Sequence, residues 1–169
     1  MSSEEIIDSA LERYERALIS FAKAITGEPE SARDAVQETF LRLSRQDVRA
    51  LEPRLAAWLF FVCRNCALDH VRKIARFTGD AIDEEHPSED LSPAAEVAAA
   101  EETVRLRWLI DQLPQQQREL VRLKFEAGLS YKQMGEAMQM SVSNVGVQLH
   151  VAMQTLRRLW KRENTGALP

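Results

Sequence analysis

Two sets of side chains in this sequence have the types and the spacing to do chemistry. Cys63, Cys66 and His70 lie three and four residues apart in "VCRNCALDH", which would put them along one face of a helix. Zinc takes about four such ligands, usually from separate segments. The sequence has no second Cys or His cluster, and residues three apart on a helix are poorly placed for a disulfide. The residues favour small thiols buried in a packed helix, and no metal or other cofactor is expected. The second set, Asn144, Val147, Gln148 and Val151, lies in "SVSNVGVQLHVAMQTLRR" (Ser141 to Arg158). Asn and Gln pair bidentately with adenine, and apolar side chains touch the thymine methyl, so this set could read bases. DNA affinity, however, comes largely from Lys and Arg on phosphates, and this stretch holds none before Arg157. No nucleophile–base pair or phosphate loop is present, so the chemistry expected is recognition and not catalysis.

The elements that position these residues read as helices. Apolar residues recur at helical spacing throughout, and no stretch sustains a two-residue alternation. A first helix is expected from about Glu4 to Ile25. Gly27 and Pro29 separate it from a second, "ESARDAVQETFLRL", which buries Ala32, Ala35, Val36, Thr39, Phe40 and Leu43. After Pro53, "RLAAWLFFVCRNCALDHVRKIARF" is the most apolar segment, with Trp58, Phe60 and Phe61 on its core side. Its later half offers Arg64, Asn65, Asp69, Arg72, Lys73 and Arg76 to a partner. A helix resumes near Pro93 and runs to about Gln112. Beyond it, Pro114 opens a helix and Gly128 closes it. Ser130 caps "YKQMGEAM", and Ser141 or Ser143 caps the last helix. With Leu129, Met134, Ala137, Met138, Val142, Val145 and Leu149 inward, the last two form a helix-turn-helix.

Charge divides the chain more sharply than composition does. The net charge is −4 over 169 residues. Residues 1–77 hold twelve acids and twelve bases, residues 78–100 seven acids and no base, and residues 101–169 seven acids and ten bases. This pattern predicts an all-α protein of two small helical domains, 1–77 and 101–169, joined by a flexible acidic linker, 78–100. The longest apolar run, "AAWLFFVC", is far short of the roughly 20 residues that span a bilayer. The acidic N-terminus has no apolar core of a signal peptide, so a cytoplasmic protein without membrane insertion is expected.

"DAVQETFLRL" (Asp34 to Leu43), "AWLFFVCRNCALDHVRK" (Ala57 to Lys73) and the "LP…REL…GLSY…A" frame from Leu113 onward resemble, in order and spacing, a bacterial sigma factor. The resemblance is to the extracytoplasmic-function (ECF) group of the sigma-70 family, which keeps regions 2 and 4. It implies a region 2 helical bundle and a region 4 helix-turn-helix. The implied function is to direct core RNA polymerase to specific promoters and to assist transcription initiation there. Asp34, Gln37, Glu38, Leu41 and Arg42 become the polymerase-binding candidates. Arg64, Asn65, Asp69, Arg72, Lys73 and Arg76 become the candidates for the melted −10 element, with Asp69 either touching DNA or orienting a neighbouring Arg. Lys132, Ser141, Ser143, Asn144, Val147, Gln148 and Val151 become the −35 candidates. Core RNA polymerase, promoter DNA and an anti-sigma factor are the implied partners.

The last helix departs from the family pattern. Where the family carries an outward basic row, this chain has Gly146, Gln148, Val151, Met153, Gln154 and Thr155. Two readings follow. In one, the helix enters the major groove, with Asn144 and Gln148 on bases and Gly146 permitting a close approach. In the other, Val147 and Val151 on a neutral face dock a protein, and the chain is a sigma-like interaction module such as an anti-sigma decoy.

Overall fold

The structure is a computed structural model that describes residues 1–79 and 97–164. Helix α1 (Ser3–Thr26) starts at a capping box. Ser2 Oγ accepts from the Glu5 amide at 3.2 Å, and the Glu5 carboxylate accepts from the Ser2 amide at 2.7 Å. Gly27, at φ 78°, ends it. Helix α2 (Pro29–Ser44) begins with Pro29 in its first turn. A short helix α3 (Val48–Leu51), capped by Asp47, runs into a 3-10 turn (Glu52–Arg54) and then into α4 (Leu55–Thr78). The sequence reading did not anticipate α3 or the 3-10 turn, because four residues are too few to show a periodicity.

Helices α1, α2 and α4 pack against one another. Phe60 of α4 is fully buried, with its ring edge-to-face with Phe21 at 5.5 Å and with Tyr14 at 6.2 Å. Leu18, Leu43 and Leu59 close around this aromatic cluster. Thr39 is the polar intruder. Its hydroxyl donates to the Ala35 carbonyl at 2.7 Å, so its own polar group is satisfied. Trp58 and Phe61 are half-buried and pack on the same core, as expected of them.

In the second half, α5 (Val97–Asp111), α6 (Gln115–Phe125), α7 (Tyr131–Met138) and α8 (Val142–Asn164) bury Leu109, Leu120, Leu123, Met134, Val145, Leu149, Ala152 and Leu156. A second capping box, Ser130 with Gln133, opens α7. Ser141 Oγ accepts from the Asn144 amide at 3.1 Å and caps α8. Val142, expected inside, is half exposed. It occupies the first turn, before the helix reaches its neighbours. The acidic segment expected as a linker lies outside the described residues except at its ends, and so does the expected helix start at Pro93.

The turn between α7 and α8 rests on two backbone features. Gln139 adopts the left-handed conformation at φ 56°, a region costly for any residue with a Cβ. Gly135 lies under the returning chain: a Cβ there would stand 2.7 Å from the Met140 carbonyl oxygen. The amide of Met140 in turn donates to the Gly135 carbonyl at 2.9 Å.

The two halves touch. Helix α6 packs on α1 and α7 on α4, and the buried apolar residues of both halves form one continuous cluster. Gly135→Ala is expected to push the turn apart and cost about 1–3 kcal/mol, the usual range for overpacking. Urea unfolding followed by helical circular dichroism checks this.

Candidate functional site

Three surfaces carry the candidate residues. The first is on α2. Gln37 and Leu41 line a groove of about 540 Å³ between α1 and α2. Leu11, Ile19, Val36 and Phe40 give the groove an apolar floor, and Glu15, Arg33 and Ser44 stand around it. Leu41 is half exposed at its edge. Glu38 and Arg42 lie on the flank and pair with each other at 3.1 Å. Asp34 is exposed outside the groove lining. The sequence reading found the α2 residues but missed Leu11 and Ile19. Both are on α1, and their share in the groove follows from how the two helices meet.

The second surface is the later half of α4. Burial of Leu59, Phe60, Cys63 and Ala67 turns Asp69, Arg72, Lys73 and Arg76 outward, all exposed. Asp69 lies 3.6 Å from Arg72, an exposed ion pair longer than a hydrogen bond. Asn65 is half-buried. Arg64 does something different from its group. Its Nε donates to Oε1 of Glu119 on α6 at 3.2 Å. Phe77, which the sequence reading passed over, stands 92% exposed beside Arg76 at the end of this row. An isolated aromatic after a run of cations has no periodicity that would have marked it.

Cys63 and Cys66 are buried free thiols on the inner side of α4. Burial pushes the Cys63 thiol up to about 12, against a smaller downward pull from Thr39. Burial also raises Cys66, opposed by Arg42. Among the described residues no cluster of His, Cys, Asp and Glu is arranged to hold a metal ion.

The third surface is α8. Asn144, Val147 and Val151 are exposed on one face and Gln148 is half-buried among them. Ser143 and Lys132 are exposed nearby. Val147 is 59% and Val151 41% exposed, an unusual exposure for β-branched apolar residues on a helix with a well-filled core. Gly146 is turned away from this face. A Cβ there would meet the Tyr131 ring of α7 at 3.7 Å, so its small size serves the helix pair and not the outer surface. The first cation on α8 is Arg157.

A helix-turn-helix whose second helix shows a continuous outer face, beside a three-helix bundle with a basic row on its last helix, is the architecture that the sigma-70 resemblance implies. The comparisons agree. The family model of Sigma-70 region 2 matches residues 10–77, and that of Sigma-70, region 4, residues 103–156. The chain is 30% identical to the ECF RNA polymerase sigma factor SigM of Bacillus subtilis, over 92% of this chain and 96% of SigM. It is 28% identical to the ECF RNA polymerase sigma factor SigE of Mycolicibacterium smegmatis, over 89% of this chain but 60% of SigE, so it spans about three fifths of that relative. Its fold is that of CnrH, solved in complex with the cytosolic domain of CnrY (TM-score 0.61, 22% identity, 92% of this chain and 87% of that one). It is also that of the sigma factor RpoE solved with the anti-sigma factor NepR from Bartonella quintana (TM-score 0.63, 23% identity, 91% and 96%). The chain belongs to the ECF sigma factors. Among the described residues no helix is long and apolar enough to cross a membrane.

Both thiols of the native chain should resist alkylation at pH 8, because Cys63 stays protonated and both are covered. In denaturant they should react at the rate of an ordinary cysteine, and the contrast is read by mass shift after timed quenching.

Proposed function

We propose that this chain is a promoter-specificity subunit of RNA polymerase, with region 2 within residues 1–77, an acidic linker at 78–100 and region 4 within 101–169. The observation that carries the reading is that one chain matches both region 2 and region 4 of this family. The groove on α1 and α2 takes the polymerase. An apolar centre at Leu41 flanked by Gln37 and the Glu38–Arg42 pair suits a specific, reversible protein contact. The outward row of α4 holds the −10 strand: Arg72, Lys73 and Arg76 track its phosphates while Asn65 hydrogen-bonds a displaced base. Region 4 reads the −35 element through Asn144 and Gln148, with Val147 and Val151 on thymine methyls and Ser143 and Lys132 on the backbone. Each step is binding; no bond of the DNA is made or broken by the chain.

The sparse charge of α8 makes region 4 a weak binder by itself. Each phosphate neutralised contributes a salt-dependent increment, and here few are. Attachment to the polymerase through region 2 supplies the effective concentration that direct affinity lacks. An anti-sigma factor would act by covering these same surfaces.

Run-off transcription with core polymerase on a library of candidate promoters tests the reading, and failure to open any template despite tight core binding would sink it. Asn144→Ala and Gln148→Ala should each relax the −35 preference by about 1–3 kcal/mol at one base position, seen as a changed consensus in selected templates. If the consensus is unmoved while Val147→Asp abolishes capture of a partner protein, region 4 is a protein-binding surface. Leu41→Asp should weaken core binding at least tenfold without lowering helix content, as expected for a charge at the centre of a docking groove.

A further inference from the structure

The outer face of α8 lacks the charged groups that read a G·C pair. Between Ser141 and Leu156 the chain has no Lys, Arg, Asp or Glu. In the major groove guanine is read chiefly by Arg or Lys on O6 and N7, and cytosine by Asp or Glu on N4. The pairings suited to adenine and thymine are all present. Asn144 is exposed and Gln148 half-buried, and each can hold adenine N6 and N7 together. Val147 and Val151 stand exposed on the same face and offer methyl groups to the thymine methyl.

Charges on neighbouring elements are engaged elsewhere or out of reach. Arg157 lies about 20 Å along the helix from Asn144, at about 1.5 Å per residue, and the major groove is only about 12 Å wide. Lys124 of α6 holds its Nζ 5.3 Å from the centre of the Tyr131 ring. Lys132 and Glu136 are on α7, the helix that crosses the sugar-phosphate backbone in this motif. Ser143 and His150 are exposed on α8. Each supplies a single hydrogen bond, and the N7 acceptor is common to both purines.

Spacing sets the size of the element. From Asn144 to Val151 the helix rises about 10 Å, or about three base-pair steps at about 3.4 Å each. The four side chains therefore address about four adjacent pairs. Gly146 does not interrupt them, because it faces the Tyr131 ring.

We infer that α8 reads a run of about four A·T pairs through the adenine N6 amino group beside N7 and the thymine C5-methyl. This rests on the reading of α8 as the −35 helix and narrows it to one class of sequence. The recognition is of base edges and not of the shape of A·T-rich DNA, so it is sensitive to single groups on the bases. In a duplex one N6 hydrogen of adenine pairs with thymine and the other faces the major groove. Asn144 or Gln148 accepts that second hydrogen while its own amide donates to N7. A methyl group on N6 takes the place of this hydrogen, so adenine methylation within the element switches recognition off.

Promoter selection by core polymerase carrying this chain, from templates randomised over both elements, tests the inference. The selected upstream element should hold only A and T at about four adjacent positions. The promoter is then rebuilt with base analogues confined to that element, and polymerase binding is titrated. Deoxyuridine for thymidine removes the methyl alone and should weaken binding about fourfold per contacted methyl, the order of one buried methylene group. N6-methyladenine for adenine should weaken it about tenfold at each contacted position, the order of one bidentate pair. Gln148→Arg should create a guanine preference at its own position with core binding unchanged.

Guanine or cytosine fixed at a contacted position of the wild-type element would overturn the inference. So would A·T enrichment that neither analogue disturbs, because the helix would then be sensing groove shape. Folded Gln148→Arg with an unchanged preference would overturn the place of Gln148 in the contact. A selected −10 element with no selected upstream element is a different failure: region 4 then does not read DNA, and the −35 reading falls together with the inference. Should Gln148→Arg lose helix content, the analogues decide, since they need no altered protein.

Discussion

Burial of the apolar face of α4 is the constraint from which the rest of the molecule follows. Leu59, Phe60, Cys63 and Ala67 recur at helical spacing and must face α1 and α2. The edge-to-face packing of Phe60 on Phe21 and Tyr14 then sets the rotation of the helix about its axis. A slip of one residue would turn α4 by about 100° and carry its cations into the core. The directions of Asp69, Arg72, Lys73 and Arg76 are thus consequences of aromatic packing several turns away. The same rotation aims Arg64 at α6, so the outward row and the contact with α6 are two readouts of one buried cluster.

Region 4 obeys a tighter local rule. Its two helices approach closely because Gly135 leaves room for the Met140 carbonyl, and Gln139 accepts a left-handed conformation to reverse the chain. The Gln139 side-chain amide donates through Nε2 to the Glu136 carbonyl at 2.9 Å, which ties the strained residue back to the helix it has just left. The angle between α7 and α8 decides how α8 presents its outer face, so the presentation of Asn144 and Gln148 depends on a backbone feature outside that face.

Most of this was legible in the sequence where the information is local. Capping residues Ser130 and Ser141 or Ser143, the breaks at Gly27 and Gly128 and the helical spacing of apolar residues located the helices, and Cys63 and Cys66 were recognisable as core. What escaped was what depends on partners far away in the chain. The Arg64–Glu119 pair joins residues 55 apart and the Ser20–Arg122 bond residues 102 apart, and no periodicity records either. Leu11 and Ile19 of α1 line a groove only because of how α1 meets α2, which the spacing within α1 does not record. Val142 fitted the inward pattern but lies before the helix meets its neighbours. Gly146 was attributed to the outer face, although the Tyr131 ring across the helix pair is what it meets.

The face of α8 between Ser141 and Leu156 carries no Lys or Arg. Hold on arbitrary duplex grows with the number of phosphates a surface neutralises, and a chromosome offers about 10⁶–10⁹ such competing sites. A recognition face so poor in cations competes weakly for that reservoir. If that face is the one that meets DNA, as proposed, chain not attached to polymerase would be held only weakly on bulk DNA, and the concentration available to polymerase would follow synthesis and release closely. On that reading the missing arginines would exchange affinity at one site for a prompt response across the whole pool.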